Sequence, residues 1–188
     1  MALLKVVKLG NPILRQIARP IDLESLNLPD GEIQYLIDNM IDTMREEDGV
    51  GLAAPQVFQS LQLVIMECSS NKRYSDAPEI PLTVLVNPMI KHYSEKKVLG
   101  WEGCLSLKDL RGLVPRSEEI TVDYFNREGK PVTINVEGFP AVVLQHEIHH
   151  LHGKVFLDRM TDFSQLSYLE ELSEYISNKE TIELESAD

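Results

Sequence analysis

Residues 138–153 read Gly-Phe-Pro-Ala-Val-Val-Leu-Gln-His-Glu-Ile-His-His-Leu-His-Gly, and this stretch restricts the fold more than any other. Ala141, Leu144, Ile148 and Leu151 recur at helical spacing, and Val142 and Val143 make another side apolar, so the segment predicts a helix inside a core. Gly138 and Pro140 precede it as a start, and Gly153 follows as a stop. Into this apolar helix the sequence sets His146-Glu147-x-x-His150. Positions four apart share a face, so both imidazoles can reach one metal ion. Glu147 stands one step round, where a carboxylate can handle the proton of a water on that metal. A polar stripe of this kind is costly to bury without a partner; the alternative is a solvent-facing edge carrying several histidines.

Two ligands hold a divalent metal incompletely, because a hydrolytic site takes three protein ligands and keeps one position open. The chain has two cysteines. Cys68 closes the apolar run that begins at Leu61 and reads as a small buried hydrophobe. Cys104 lies in Gly-Trp-Glu-Gly-Cys-Leu-Ser, residues 100–106, a glycine-rich segment with neither strand nor helix period. A thiolate there is a good ligand for zinc or iron, which makes Cys104 the candidate third donor. A Cys68–Cys104 disulfide is the other option, but nothing in the sequence suggests an oxidising compartment.

A third segment, Gly49-Val-Gly-Leu-Ala-Ala-Pro-Gln56, follows an amphipathic helix carrying Ile33, Leu36, Ile37, Met40, Ile41 and Met44, with Asp30 as its expected cap. Its small residues present a low backbone against which a substrate chain can lie, and Gln56 ends it with an amide donor. Taken alone it is weak evidence, because small residues near a helix end more often mark tight packing.

Together the three segments resemble the peptide deformylase family in the order that family shows them. Gly-x-Gly-x-Ala-Ala-x-Gln matches Gly49–Gln56, Glu-Gly-Cys-Leu-Ser matches Glu102–Ser106, and Gln-His-Glu-x-x-His matches Gln145–His150. Gly10-Asn-Pro-Ile-Leu-Arg15 and Arg111-Gly-Leu-Val-Pro-Arg116 are also similar to the family, so the likeness runs over about residues 5 to 160. It implies Cys104, His146 and His150 as metal ligands, Glu147 as acid and base, and Gln56 with the Leu105 N–H as oxyanion donors. It further implies that Val50, Gly51 and Gly103 hold the peptide backbone. Val50, Phe139, Val142 and Val143 would shape a methionine pocket with Arg111 at its rim. The implied substrate is the N-formyl group on the first methionine of a nascent polypeptide, with formate released. The implied cofactor is one divalent metal, Fe(II) in the cell and zinc or nickel on isolation. Ribosome docking near the exit tunnel is a further partner the resemblance suggests.

The chain departs from the family pattern in three places: His149 stands where Asp is usual, Leu107-Lys108 where an aliphatic residue and Pro are usual, and Phe58 where Gly is common. At i+3 from His146, His149 competes as a ligand, although the i+4 pair keeps Glu147 nearer the metal. Two rival functions use the same helix. A His-Glu-x-x-His metallopeptidase would take its third ligand downstream, where Asp158, Asp162 and Glu170 show no recognisable spacing. A non-catalytic binding module would close the metal with His149.

The 188 residues, 43% of them hydrophobic, suffice for one core, and one catalytic domain over 1–178 is expected with an acidic, disordered tail at 179–188. No apolar run reaches membrane-span length, and the first residues lack signal or transit character, so a cytoplasmic enzyme is expected. The net charge of −12 argues against nucleic-acid binding. Ile120, Val122 and Tyr124 alternate, 126–129 turns, and Val132, Ile134 and Val136 alternate back as a hairpin. Residues 61–66 and 82–86 read as buried strands, and Phe163–Ser177 as a packing helix with Leu166, Leu169, Leu172 and Ile176 inward. Arg116 is a candidate brace for Glu102, Trp101 a packing or substrate residue, and His92 and His152 surface histidines. The sum is an α+β single domain, antiparallel or mixed strands around a buried central helix bearing the metal motif.

Overall fold

The computed structural model describes residues 2–26, 31–69 and 78–175. Asp30, Ile176, Ser177 and the acidic tail lie outside them. In chain order the elements are α1 (Leu23–Leu26), α2 (Glu32–Glu46), β1 (Gly51–Ala53), β2 (Leu63–Cys68), β3 (Ile80–Tyr93), β4 (Lys97–Cys104), β5 (Leu107–Ser117), β6 (Glu119–Phe125), β7 (Pro131–Glu137), α3 (Gly138–Leu151) and β8 (Leu166–Tyr168). Five strands form one antiparallel sheet in the order β1-β2-β3-β6-β7, and three form a second in the order β4-β5-β8. The fold is mixed α+β.

Strand β2 explains the architecture. Leu63 and Ile65 point to one face and pack with Ile37, Met40 and Met44 of α2. Val64 and Met66 point to the other and pack with Ala141, Leu144, Ile148 and Leu151 of α3. A strand covered on both faces reads as an unbroken apolar run, as 63–66 does. Each wholly buried aliphatic side chain of this kind stabilises the fold by roughly 1.5–3 kcal/mol relative to exposure. Helix α3 packs against β1, β2, β3, β6 and β7 of the larger sheet and β5 of the smaller one. A third cluster, including Cys104, Leu107, Val114, Phe156 and Met160, fills the space behind the small sheet.

Two glycines deliver α3. Gly138, with φ +64°, turns β7 directly into the helix and donates its N–H to the Glu118 carbonyl. Gly153, with φ +67°, follows the last turn, and a Cβ there would come within 2.6 Å of the Arg15 carbonyl oxygen. The expected start is therefore corrected: Gly138 and Pro140 lie within the first turn, where proline is tolerated.

Several local expectations shift. The N-cap of α2 is Gly31, with no side-chain cap. Segment 100–104 is the end of strand β4, which pairs with β5 despite its glycines. The expected helix from Phe163 is broken: 163–165 make a 3-10 turn, Leu166–Tyr168 pair with Leu110–Gly112 as β8, and helix resumes over 169–175. Both cysteines are free. Phe58 takes the left-handed conformation at φ +63°, which accounts for the fitness of glycine at such a position.

Candidate active site

Helix α3 sets His146 and His150 on one face, and β4 ends by bringing Cys104 to them. The ligand atoms of the three residues lie within 4.8 Å of one another, all buried. His146 Nε2 and His150 Nε2 are 3.3 Å apart, and Cys104 Sγ is 3.3 Å from His150 Nε2. Two nitrogens bound to one tetrahedral ion at about 2.0–2.1 Å stand about 3.3–3.4 Å apart, so this pair already has that spacing. A thiol and two facing ring nitrogens share too few protons and acceptors to satisfy one another, and the donor set fits a divalent metal.

Around that triangle sits a braced carboxylate. Glu102 accepts from Arg116 Nε at 2.6 Å and Nη2 at 2.8 Å, and its Oε2 lies 2.8 Å from His146 Nδ1. Burial disfavours its charge, but hydrogen bonds from Arg116 and His146 outweigh that and hold the carboxyl at about 2. Glu102 thus orients His146 and fixes its Nε2 toward the cluster. Burial pulls His146 down, yet its hydrogen bonds to Cys104 and Glu102 carry it above the ordinary range. His150 is pushed down by burial, then by the neighbouring His146 charge. From the sequence, Glu102 is legible only as a motif residue and as the partner of Arg116. The rule that a ligating histidine needs a second partner on its other nitrogen could have found the rest.

His149 points elsewhere. Its Nδ1 is 2.6 Å from Arg116 Nη1 and its Nε2 3.0 Å from Arg159 Nη2, so it stays outside the cluster. Burial first, and then the charges of Arg116 and Arg159, push it down to about 3. Nothing in the sequence pattern singled out Arg159.

Glu147 Oε2 is buried without a partner, and burial raises the carboxyl to about 7. Gly51 permits this placement, since a Cβ there would lie 2.7 Å from Glu147 Cγ and Oε1. Gln56 accepts from the Ala53 N–H at 2.8 Å through Oε1, which turns its amide Nε2 toward Cys104 Sγ and Ser106 Oγ, each 3.4 Å away. Leu105 begins the tight turn after β4; Lys8 Nζ donates to its carbonyl, and the Leu9 N–H donates to that of Ser106. A cleft joins these groups, lined by Val50, Gly51, Gln56, Gly103, Leu105 and Arg111. Arg111 lies over Gly103, so close that a side chain there would collide with the guanidinium. Beside Glu147 an apolar cavity of about 150 Å³ is lined by Val50, Trp101, Phe139, Val142 and Val143. All the candidate residues therefore gather at one place. Asp158, by contrast, pairs with Arg15, and Asp162 caps Ser164. Neither joins the cluster, and Glu170 is exposed on the surface.

The family model described as polypeptide deformylase matches residues 3–165. The chain is 44% identical over 167 residues to peptide deformylase 1 of Bordetella pertussis, covering 89% of this chain and 93% of that one. It is 45% identical over 158 residues to peptide deformylase 2 of a Nostoc species, covering 84% and 86%. Among solved structures it is similar to the class I type b peptide deformylase of Acinetobacter baumannii bound to Met-Ala-Ser. There the TM-score is 0.81 and the identity 43%, with 85% of this chain and 99% of the other covered. The actinonin-bound form of that enzyme gives a TM-score of 0.77 at 40% identity, with 86% of this chain and 100% of the other covered.

Proposed function

The chain belongs to the polypeptide deformylase family, and on that premise we propose how it removes the formyl group from the N-terminal methionine of new polypeptides, releasing formate. Cys104, His146 and His150 are the residues that would hold one divalent metal. Bound there, the ion would act as a Lewis acid and lower the pKa of a water toward about 7. A thiolate with two imidazoles accepts several divalent metals, and the family likeness points to Fe(II) in the cell, replaced by zinc or nickel on isolation.

The chain's own groups do the rest. Glu147, with its carboxyl near 7 and an unpartnered oxygen, takes the proton of the attacking water and returns it to the departing amine. The C–N bond of the formamide breaks, leaving formate and a free methionine amine. Gln56 Nε2 and the Leu105 N–H donate to the oxygen on which charge develops, a kind of contact worth roughly 10²–10³ in rate per donor. Val50, Gly51 and Gly103 wall the cleft along which the peptide backbone lies, and Arg111 covers its rim. The apolar cavity formed by Val50, Phe139, Val142 and Val143 takes the methionine side chain.

No helix among the described residues is long and apolar enough to cross a membrane. In this reading the enzyme works in the cytoplasm on nascent chains as they leave the ribosome. The observation that carries the proposal is the convergence of Cys104, His146 and His150 beside the unpartnered Glu147 carboxylate. Formate release from formyl-Met-Ala-Ser, with bound metal quantified on the same sample, tests it. Cys104→Ala should lose the metal, whereas Glu147→Gln should keep it and lose nearly all turnover. Full activity in Glu147→Gln, or full metal content in Cys104→Ala, contradicts the assignment.

A further inference from the structure

A second cavity, of about 620 Å³, shares no lining residue with the cleft and pocket around Glu147. Tyr93, Lys97, Arg116, His149 and Arg159 line it, together with Asp158. Its charge arrangement is out of balance. Guanidinium nitrogens of Arg116 and Arg159 face opposite nitrogens of the His149 ring, at 2.6 and 3.0 Å. A neutral imidazole offers one acceptor and an imidazolium none, so at least one guanidinium meets a ring N–H instead of a lone pair.

Nearby carboxylates do not make up the deficit. Glu102 sits on another edge of Arg116 and is shared with His146. Asp158 is engaged by Arg15 and by the Val155 N–H. Arg159 and Lys97 have no ion pair among the described residues, and the buried Nε of Arg159 has no partner. On a chain of net charge −12, three cationic groups around one hollow are a local exception.

We propose that this cavity is a binding site for a small multivalent oxyanion of the phosphate class, held by the Arg159 guanidinium and the Lys97 ammonium with the Tyr93 hydroxyl as a further donor. Such an ion has acceptors enough to serve several charged donors at once, which His149 lacks. The overall acidity of the protein opposes any approaching anion, so binding depends on short-range contact with these groups, and low ionic strength keeps other anions from competing for them.

The test is calorimetric titration of the metal-loaded full chain with inorganic phosphate at low ionic strength. Saturable binding is expected, weakened at least about tenfold by Lys97→Ala and by Arg159→Gln, the loss typical of one charge-assisted hydrogen bond. Lys97 is exposed, so its truncation leaves the fold intact. His149→Asp places a carboxylate between the two guanidiniums and should abolish binding. Formate, a monoanion, should bind at least about tenfold more weakly than phosphate. Absence of saturable binding to the parent chain overturns the proposal. So does affinity unchanged in Lys97→Ala and Arg159→Gln, which would put phosphate elsewhere, or formate binding that is as tight as phosphate and is weakened by the same two substitutions.

Discussion

Replacing Arg116 by Met removes the cation from behind the candidate metal site while keeping an unbranched side chain of similar reach. Arg116 and Glu102 have side chains only 2% and 6% exposed. Without the guanidinium, a buried carboxylate would retain His146 as its one strong partner. Two routes give the size of the loss. Glu102 is held from its ordinary 4.5 to about 2, and at 1.36 kcal/mol per pKa unit that is about 3 kcal/mol, shared between Arg116 and His146. Breaking a buried ion pair from one side costs about 3–5 kcal/mol by general experience. In a chain of this size about 3 kcal/mol lowers the melting temperature by roughly 6–12 °C.

The pH dependence distinguishes this cause from simple loss of packing. A carboxyl whose folded pKa lies below its unfolded one contributes stability that is fully present above about 4.5 and is lost as pH falls toward about 2. In Arg116→Met, burial without the cation raises the Glu102 pKa, so protonation relieves the variant while the parent gains nothing. The gap should therefore be widest near neutrality and narrow as pH falls toward about 4. Urea unfolding of both proteins across that range measures it, and Glu102→Leu combined with Arg116→Met should recover most of the loss. A gap below about 1 kcal/mol at neutral pH, or one constant with pH, would refute the ion-pair account.

Gln56→Leu keeps side-chain volume but removes the amide donor, and kcat should fall by about 10²–10³ with metal content unchanged; a change confined to KM would place Gln56 outside the oxyanion contact. Gly51→Ala drives a Cβ to within 2.7 Å of the Glu147 side chain, so turnover should drop while bound metal, assayed in parallel, stays. Val142→Phe fills the cavity of about 150 Å³ and should raise KM for formyl-Met peptides more than for formyl-Ala peptides. Phe58→Gly relieves a left-handed residue that is 44% exposed, so thermal unfolding should show a gain of roughly 1 kcal/mol.

How legible each element was follows from how local its cause is. The His146/His150 pair could be read because a helix converts a spacing of four into a shared face, and the apolar residues around it announced a core position. The 120–136 hairpin could be read because alternation and a turn lie within seventeen consecutive residues. Leu166–Tyr168 could not. Leu166, Leu169 and Leu172 keep helical spacing, yet the exposed edge of β5 takes the first three residues as a strand, with Gly112 opposite Leu166. Gly112 has no room for a side chain, because a Cβ would come within 2.7 Å of both Met160 and Phe156. Long-range pairing there overrides local preference.

The site shows the same division more sharply. Glu102, Cys104, Arg116 and His149 come from three elements, and only tertiary structure decides who faces whom. Strand alternation does much of that work: Glu102 and Cys104 are both buried on either side of Gly103, so they fall on the same side of β4 even though the register with β5 shifts between them. One therefore reaches His146 Nδ1 while the other approaches His150 Nε2. Helical spacing alone leaves His149 and His150 as rivals for the metal, one three and one four residues from His146. The surroundings separate the rivals, since Arg116 and Arg159 flank the two nitrogens of His149, whose ring lies outside the cluster, while His150 meets the sulfur. On the proposed ligand set, what restrains His149 thus matters as much as what attracts His150.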